Sequence, residues 1–175
     1  MEKKKLESYL DAMLAARTRK ELEHTFKYIL LELGFEYFSW YVLSTKDFII
    51  YGKWISNYLF DWLFRYAEQN YFSIDPVVLG THLTQGHLLW RDVLSCDLKP
   101  KQFQLFHEAY YCGLRAGATL YNDTLYRGRT MRSLLSVAGR MSNTKFDHLF
   151  NKREKTLTVV SEAFNMRTMQ LAIDH

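Results

Sequence analysis

The sequence predicts an α+β fold, an α/β/α sandwich with a roughly five-stranded antiparallel sheet between helical layers. Three observations carry that prediction. Helix-period segments occupy both ends of the 175-residue chain, and strand-period segments fill its middle. The densest strand candidate, Phe35–Ser44, is bulky on both of its sides. A strand with large side chains facing both ways is buried on both faces, so layers must cover both sides of the sheet.

Taken in order, Lys3 to about Thr18 places Leu6, Tyr9, Leu10, Met13 and Leu14 at helical spacing. A second helix runs from about Lys20 to Leu33, with Leu22, Phe26, Ile29, Leu30 and Leu33 on one face and Gly34 to stop it. In Phe35–Ser44, Phe35, Tyr37, Tyr41 and Leu43 point one way and Phe38, Trp40 and Val42 the other. Phe48–Trp54 is its hairpin partner across the turn Thr45–Asp47. Asn57–Asn70 reads as a helix, on which Tyr58, Trp62 and Tyr66 recur every four residues as one aromatic ridge. Asp75-Pro76 opens a short turn or helix through Leu79, and Thr81–Trp90 is loop-like around Gly86 before a short strand at His87–Trp90. Lys101–Cys112 is an amphipathic helix entered through Pro100 and closed by Gly113. Ala116–Tyr121 is a strand, Asn122–Thr130 a polar connection, and Arg132–Arg140 the last strand. A long helix from about Asn143 to Ile173 closes the chain.

This length suits one packed domain, residues 1–175, and is short for two. Apolar residues at 48% and charged residues at 24% match an ordinary soluble protein. The aromatic share of 16% is high, which suits either an aromatic-lined cavity or a tightly packed core. Cys96 and Cys112 form no CxxC pair, which argues against a disulfide scaffold or structural zinc and points to a reducing, cytoplasmic setting. The charged N-terminus is neither a signal peptide nor a membrane anchor. Residues 91–175 hold 13 Lys/Arg against 8 Asp/Glu, a basic excess too mild to establish nucleic-acid binding.

Read singly, the chemistry-bearing residues are ambiguous. Asp75 before Pro76 is the pattern of a helix N-cap with Pro at N1. Tyr58, Trp62 and Tyr66 on one helix face would pack a core as readily as line a pocket. Ser136 and Trp90 have equally plain readings as a satisfied hydroxyl and a core ring.

Their order says more. Tyr58-x3-Trp62-x3-Tyr66-x8-Asp75-Pro76 is followed by Trp90, then GLRAGAT (Gly113–Thr119) and LLS (Leu134–Ser136). From roughly Leu22 to Ala138 this set resembles the autoinducer-binding domain of LuxR-type quorum-sensing regulators. The QGHLLW and GLRAGAT stretches look like the SdiA branch of that family. The resemblance implies a cavity for an N-acyl-homoserine lactone between the sheet and a helical layer. Trp62 matches the indole that donates to the lactone carbonyl, and Asp75 the carboxylate that accepts from the ligand amide. Tyr58 matches the hydroxyl that reaches the acyl carbonyl, and Ser136 a second polar contact to it. Tyr66 and Trp90 match aromatic walls, and Gly117 a structural glycine. Such a set complements one amide donor and two carbonyl acceptors. An acyl tail would add about 0.8 kcal/mol per buried CH2, so affinity would come from the tail and selectivity from the polar residues.

The sequence departs from the family pattern at Leu59, where many members have Pro, at Leu134, where Gly is common, and at Leu120-Tyr121, where many place Pro. These changes bear on pocket shape and ligand choice. Full-length members continue into a helix-turn-helix DNA-binding domain, and no such segment follows the long helix here. The resemblance therefore implies a sensor domain that dimerises with itself or with a related regulator, DNA being reached only through the absent domain. One alternative is a single-domain protein that pairs with a full-length regulator and inhibits it. Catalysis is not expected: there is no nucleophile elbow and no metal cluster, and His107 and Cys112 share no helix face well. No cofactor is expected beyond the ligand.

Overall fold

A computed structural model describes residues 2–47, 49–80, 86–126 and 128–173. Phe48 of the predicted second strand, Thr81–Gln85 of the loop-like stretch and Arg127 of the polar connection lie outside the described residues. The chain forms two units, residues 1–35 with 149–175, and residues 36–148.

The first unit is helical. It holds α1 (Glu2–Ala15), α2 (Arg19–Leu33) and most of α7 (Asn143–Ile173). The α2 helix starts where Thr18, in an extended conformation, accepts from the Glu21 N–H at 3.2 Å. It ends at Gly34, whose φ of 100° lets the Phe35 N–H return to the Leu30 carbonyl at 2.9 Å. Its predicted face, Leu22, Phe26, Ile29, Leu30 and Leu33, is buried. The Phe26 ring stacks on Phe164 of α7 at 4.0 Å between centroids. The Arg167 guanidinium donates to the Ala16 carbonyl at 2.7 Å, just past α1. The α1 helix stops at Ala15 rather than Thr18, because Thr18 serves as the next helix's cap.

The second unit carries the sheet, and the predicted α+β class holds. Strands β1 (Tyr37–Ser44), β2 (Ile50–Ser56), β3 (His87–Leu89), β4 (Ala116–Tyr126) and β5 (Arg129–Gly139) lie in the order β2-β1-β5-β4-β3. Every neighbouring pair is antiparallel. One face presents Tyr37, Ser39, Tyr41 and Leu43 of β1, and the other presents Phe38 and Trp40; both sets are buried. Helices α3 (Phe60–Glu68), α4 (Pro76–Leu79), α5 (Trp90–Leu94) and α6 (Pro100–Tyr111) pack on the Tyr37 face.

Three expectations need correction. The predicted helix Asn57–Asn70 begins only at Phe60. Asn57 is held at the sheet margin, its side-chain amide donating to the Glu36 carbonyl and accepting from the Phe38 N–H. Those contacts take Tyr58 out of the helix, so the ridge on α3 itself is Trp62 and Tyr66. Trp90, placed at the end of a strand, is the first residue of α5. The polar connection Asn122–Thr130 is largely strand, and β4 and β5 form one long hairpin. Asp123 and Arg132 sit directly opposite each other there, paired at 2.5 and 2.6 Å. A cross-strand ion pair and a continuous ladder let a polar segment remain extended, which polarity alone did not reveal.

Within the helical cover a clamp ties α3 to α6. Arg65 of α3 donates both Nε and Nη2 to Glu108 of α6 at 2.9 Å, and the Tyr71 hydroxyl donates to the same carboxylate at 2.9 Å. Arg65, then burial opposed by Gln104 and Tyr71, leaves the Glu108 carboxyl held down to about 2 against its ordinary 4.5. A carboxyl depressed in the fold adds stability above its unfolded value, and that contribution vanishes as pH falls from about 4.5 toward 2. Glu108→Gln is therefore expected to lower the melting temperature at neutral pH and to flatten its decline across that acid window. Hydrogen bonds to a charged partner are worth about 1.5–3 kcal/mol, and partial exposure of the pair places the loss at the lower end. Thermal melts from pH 7 to pH 2 check both effects.

Candidate functional site

The register of the sheet unit builds the floor of the site. Ser39 lies opposite Ser136, and Ser136 opposite Thr119, so three hydroxyls form one row across β1, β5 and β4. The rows on either side are Tyr37–Ala138–Gly117 and Tyr41–Leu134–Tyr121. Small and hydroxyl-bearing residues thus line up in the middle of a face that is otherwise aromatic. Helices α3 to α6 roof this row, and the space between is a cavity of about 50 Å³.

All six residues singled out from the sequence, Tyr58, Trp62, Tyr66, Asp75, Trp90 and Ser136, line that cavity. Asp75 combines its two possible readings. One carboxylate oxygen caps α4 by accepting from the Val77 N–H at 2.8 Å, and the other accepts from the Tyr66 hydroxyl at 2.8 Å. Pro76 at the first helical position needs no such partner. Burial pushes the Asp75 carboxyl up, with Tyr66 and the backbone N–H groups of Val77 and Val78 pulling the other way. Burial and then the Asp75 charge also raise the hydroxyls of Tyr41, Tyr58, Tyr66 and Tyr121 well above the ordinary tyrosine value. Asp75 thus sits among four phenols that burial holds neutral.

Among the described residues, the buried Tyr58 hydroxyl makes no hydrogen bond of ordinary geometry, and the side chain nearest to partnering it is Ser136. A buried polar group left unpaired costs about 1–3 kcal/mol, a cost that an incoming hydrogen-bonding group would offset. Trp62 is 3% exposed and packs edge-on against Tyr66, 5.8 Å between centroids. The Trp90 indole N–H donates to Thr119 Oγ1 at 3.0 Å, and Thr119 Oγ1 lies 2.8 Å from Ser136 Oγ. Ser136 keeps further hydrogen-bonding capacity toward the cavity.

Gly117 explains the position of Trp90. A Cβ built there would lie 2.5 Å from the indole ring, so the flat face of the tryptophan rests directly on the β4 backbone. Sequence reasoning missed Ser39, Tyr41 and Trp54 as lining residues, together with Val77, Leu105, Phe106, Ala109 and Leu114. Trp54 donates its indole N–H to Ser39 at 2.5 Å, a pairing that only the β1–β2 register brings about. Among the described residues, no His, Cys, Asp and Glu group could hold a metal, and no helix is long and apolar enough to cross a membrane.

A chamber half lined by aromatic rings, with one carboxylate and several hydroxyls, defines a domain suited to binding a small molecule. The chain belongs to the Autoinducer binding domain family, whose pattern matches residues 18–167. It is similar to the regulatory protein SdiA of Escherichia coli K12, 31% identical over 105 residues, which is 59% of this chain and 42% of that protein. It is also similar to the HTH-type quorum-sensing regulator RhlR of Pseudomonas aeruginosa, 32% identical over 116 residues, covering 63% of this chain and 44% of that one. The chain thus spans less than half the length of these relatives. Solved structures share the fold at lower identity. SdiA in complex with octanoyl-rac-glycerol superposes with a TM-score of 0.73 at 22% identity, over 95% of this chain and 66% of that one. CepR2 of Burkholderia cenocepacia, an N-acylhomoserine lactone dependent LuxR family factor, does so with a TM-score of 0.74 at 18% identity, over 96% and 95%.

Proposed function

We propose that this chain is the sensor domain of a LuxR-type regulator and that its ligand is an N-acyl-homoserine lactone. The observation that carries this reading is the pairing of a buried carboxylate, Asp75, with a buried and weakly held hydroxyl, Tyr58, on one chamber. The carboxylate suits an amide N–H and the phenol suits a carbonyl oxygen, the complement an acylated amino-lactone presents. Trp62 and Ser136 add a donor for the lactone carbonyl and a second contact for the acyl carbonyl. The relatives are regulators rather than enzymes, and the domain acts by binding, not by catalysis.

The chamber of about 50 Å³ is small beside the roughly 300–1,000 Å³ of sites that enclose drug-sized ligands. Ligand binding must therefore move side chains of the helical cover. That movement couples occupancy to repacking of α3 to α6, and through it to stability and pairing with a second copy or a related regulator. Free Cys96 and Cys112 suit a cytoplasmic setting.

The test is a thermal melt with lactones of several acyl lengths. A ligand that binds only the folded state at 100 times its Kd adds about 2.7 kcal/mol, which for a chain of this size raises the melting temperature by about 5–11 °C. A parallel titration with octanoyl-rac-glycerol separates a requirement for the lactone head from a preference for any acylated polar group. No shift with any lactone sinks the proposal.

A further inference from the structure

Beside the inner chamber lies a second hollow of about 310 Å³ formed by α5, α6 and the residues just after α6. Its rim is exposed, with Phe103 and Tyr111 of α6 60% and 76% accessible. Its inner wall is Trp90, Phe106 and Leu114, and the same three residues line the chamber. The two spaces are therefore separated by a partition one side chain thick.

The three partition residues are not held alike. Trp90 is pinned, with its ring against Gly117 and its N–H on Thr119. Phe106 and Leu114, 9% and 5% exposed, have apolar side chains and are retained by packing alone. Leu114 follows Gly113, which leaves α6 with a φ of 92°, so it sits on a chain reversal rather than inside a helix. Elsewhere the chamber is bounded by hydrogen-bonded strands, by α3, which Arg65 ties to α6 through Glu108, by Asp75 and Val77 at α4, and by Leu105 and Ala109 of α6, none of which borders the outer groove. Rotating Leu114 and Phe106 breaks no hydrogen bond and joins the chamber to a groove already open to solvent.

We infer that ligand reaches the chamber from this outer groove by passing between Phe106 and Leu114, and that these two side chains set the cross-section of what is admitted. The inference rests on the reading of the chamber as a ligand site. It adds a route and two selectivity residues that the polar contacts do not specify.

The experiment reads access without any lactone. In a protein carrying Cys96→Ser and Cys112→Ser, Ser136→Cys places a single thiol in the chamber, and its reaction with methyl methanethiosulfonate is timed. Leu114→Ala is expected to speed that reaction by about tenfold, equivalent to roughly 1.4 kcal/mol off the opening barrier. Val78→Ala, a core truncation in α4 away from the partition, controls for general loosening and is expected to change it much less. Equal acceleration by both variants, or none by Leu114→Ala, overturns the route. Should Ser136→Cys fail to fold, Ser39→Cys on the neighbouring strand provides the same readout. Stopped-flow binding of octanoyl-homoserine lactone to protein that retains Ser136 forms the second arm, with a faster association rate expected for Leu114→Ala. Lactones that bind at a rate indifferent to Leu114 refute the route alone, whereas a thiol gated by Leu114 in a protein that binds no lactone refutes the ligand assignment alone.

Discussion

Asp75→Asn is expected to weaken lactone binding by about 10- to 150-fold while leaving the ligand-free domain at least as stable as the parent. The two halves have separate causes. Removing the charge removes a hydrogen bond to a charged acceptor, worth about 1.5–3 kcal/mol where water is excluded. Asparagine caps a helix about as well as aspartate, so α4 keeps its Val77 contact, while toward Tyr66 its N–H2 donates to the phenol oxygen where the carboxylate accepted. The buried carboxyl is raised above its ordinary 3.8, so between that value and its own the folded protein holds more protons than the unfolded one. Stability contributed by this group therefore falls as pH rises through that window, and asparagine removes the penalty at neutral pH. Ser136→Ala removes only a neutral hydroxyl already shared with Thr119 and is expected to cost binding less than Asp75→Asn. Isothermal titration for binding and thermal melts for stability check the pair. Equal binding losses for the two variants would remove Asp75 from its assigned role.

Gly117→Ala is expected to damage the fold itself. The new methyl group would lie 2.5–2.8 Å from three atoms of the Trp90 ring, a separation that real Cβ atoms do not tolerate. Either Trp90 swings away and gives up its bond to Thr119, or β4 shifts against its neighbours. Overpacking of this kind costs about 1–3 kcal/mol, which for a chain of this size lowers the melting temperature by roughly 2–12 °C. Because Trp90 is shared by the chamber and the outer groove, the variant should also lose ligand response. A melt indistinguishable from the parent would show that the indole moves without penalty.

Much of the architecture was legible because it depends on local periodicity. The five apolar residues of α2 and the span of α7 follow directly from helical spacing, and Gly34 marks its boundary through a backbone angle that suits glycine. The boundaries that misled were decided by partners distant in the chain. Asn57 reads as helical until its amide is seen on Glu36 and Phe38, and the polar tip of the β4–β5 hairpin reads as a loop until Asp123 meets Arg132. Trp90 ends an apolar run that looks like strand, yet β4 pairs only with His87, Leu88 and Leu89, and the chain turns into α5.

The stretch around Trp62 and Asp75 shows the same division within the site. By itself the sequence singled out side chains that the fold gathers on one chamber: an acid before a proline, aromatics at fixed spacing, a serine in a strand, and a family resemblance carried by their order. It also offered Asp75 as a helix cap, a contact between near neighbours that the fold contains. Tertiary structure alone decided that Tyr66 spends its hydroxyl on Asp75 while Tyr58 is left with no hydrogen bond of ordinary geometry. It alone aligned Ser39, Ser136 and Thr119 in one row and set Phe106 and Leu114 as a thin wall between two hollows. The physical reason is that hydrogen-bond satisfaction and cavity shape are properties of groups brought together across strands and helices, and no spacing along the chain encodes a strand register directly.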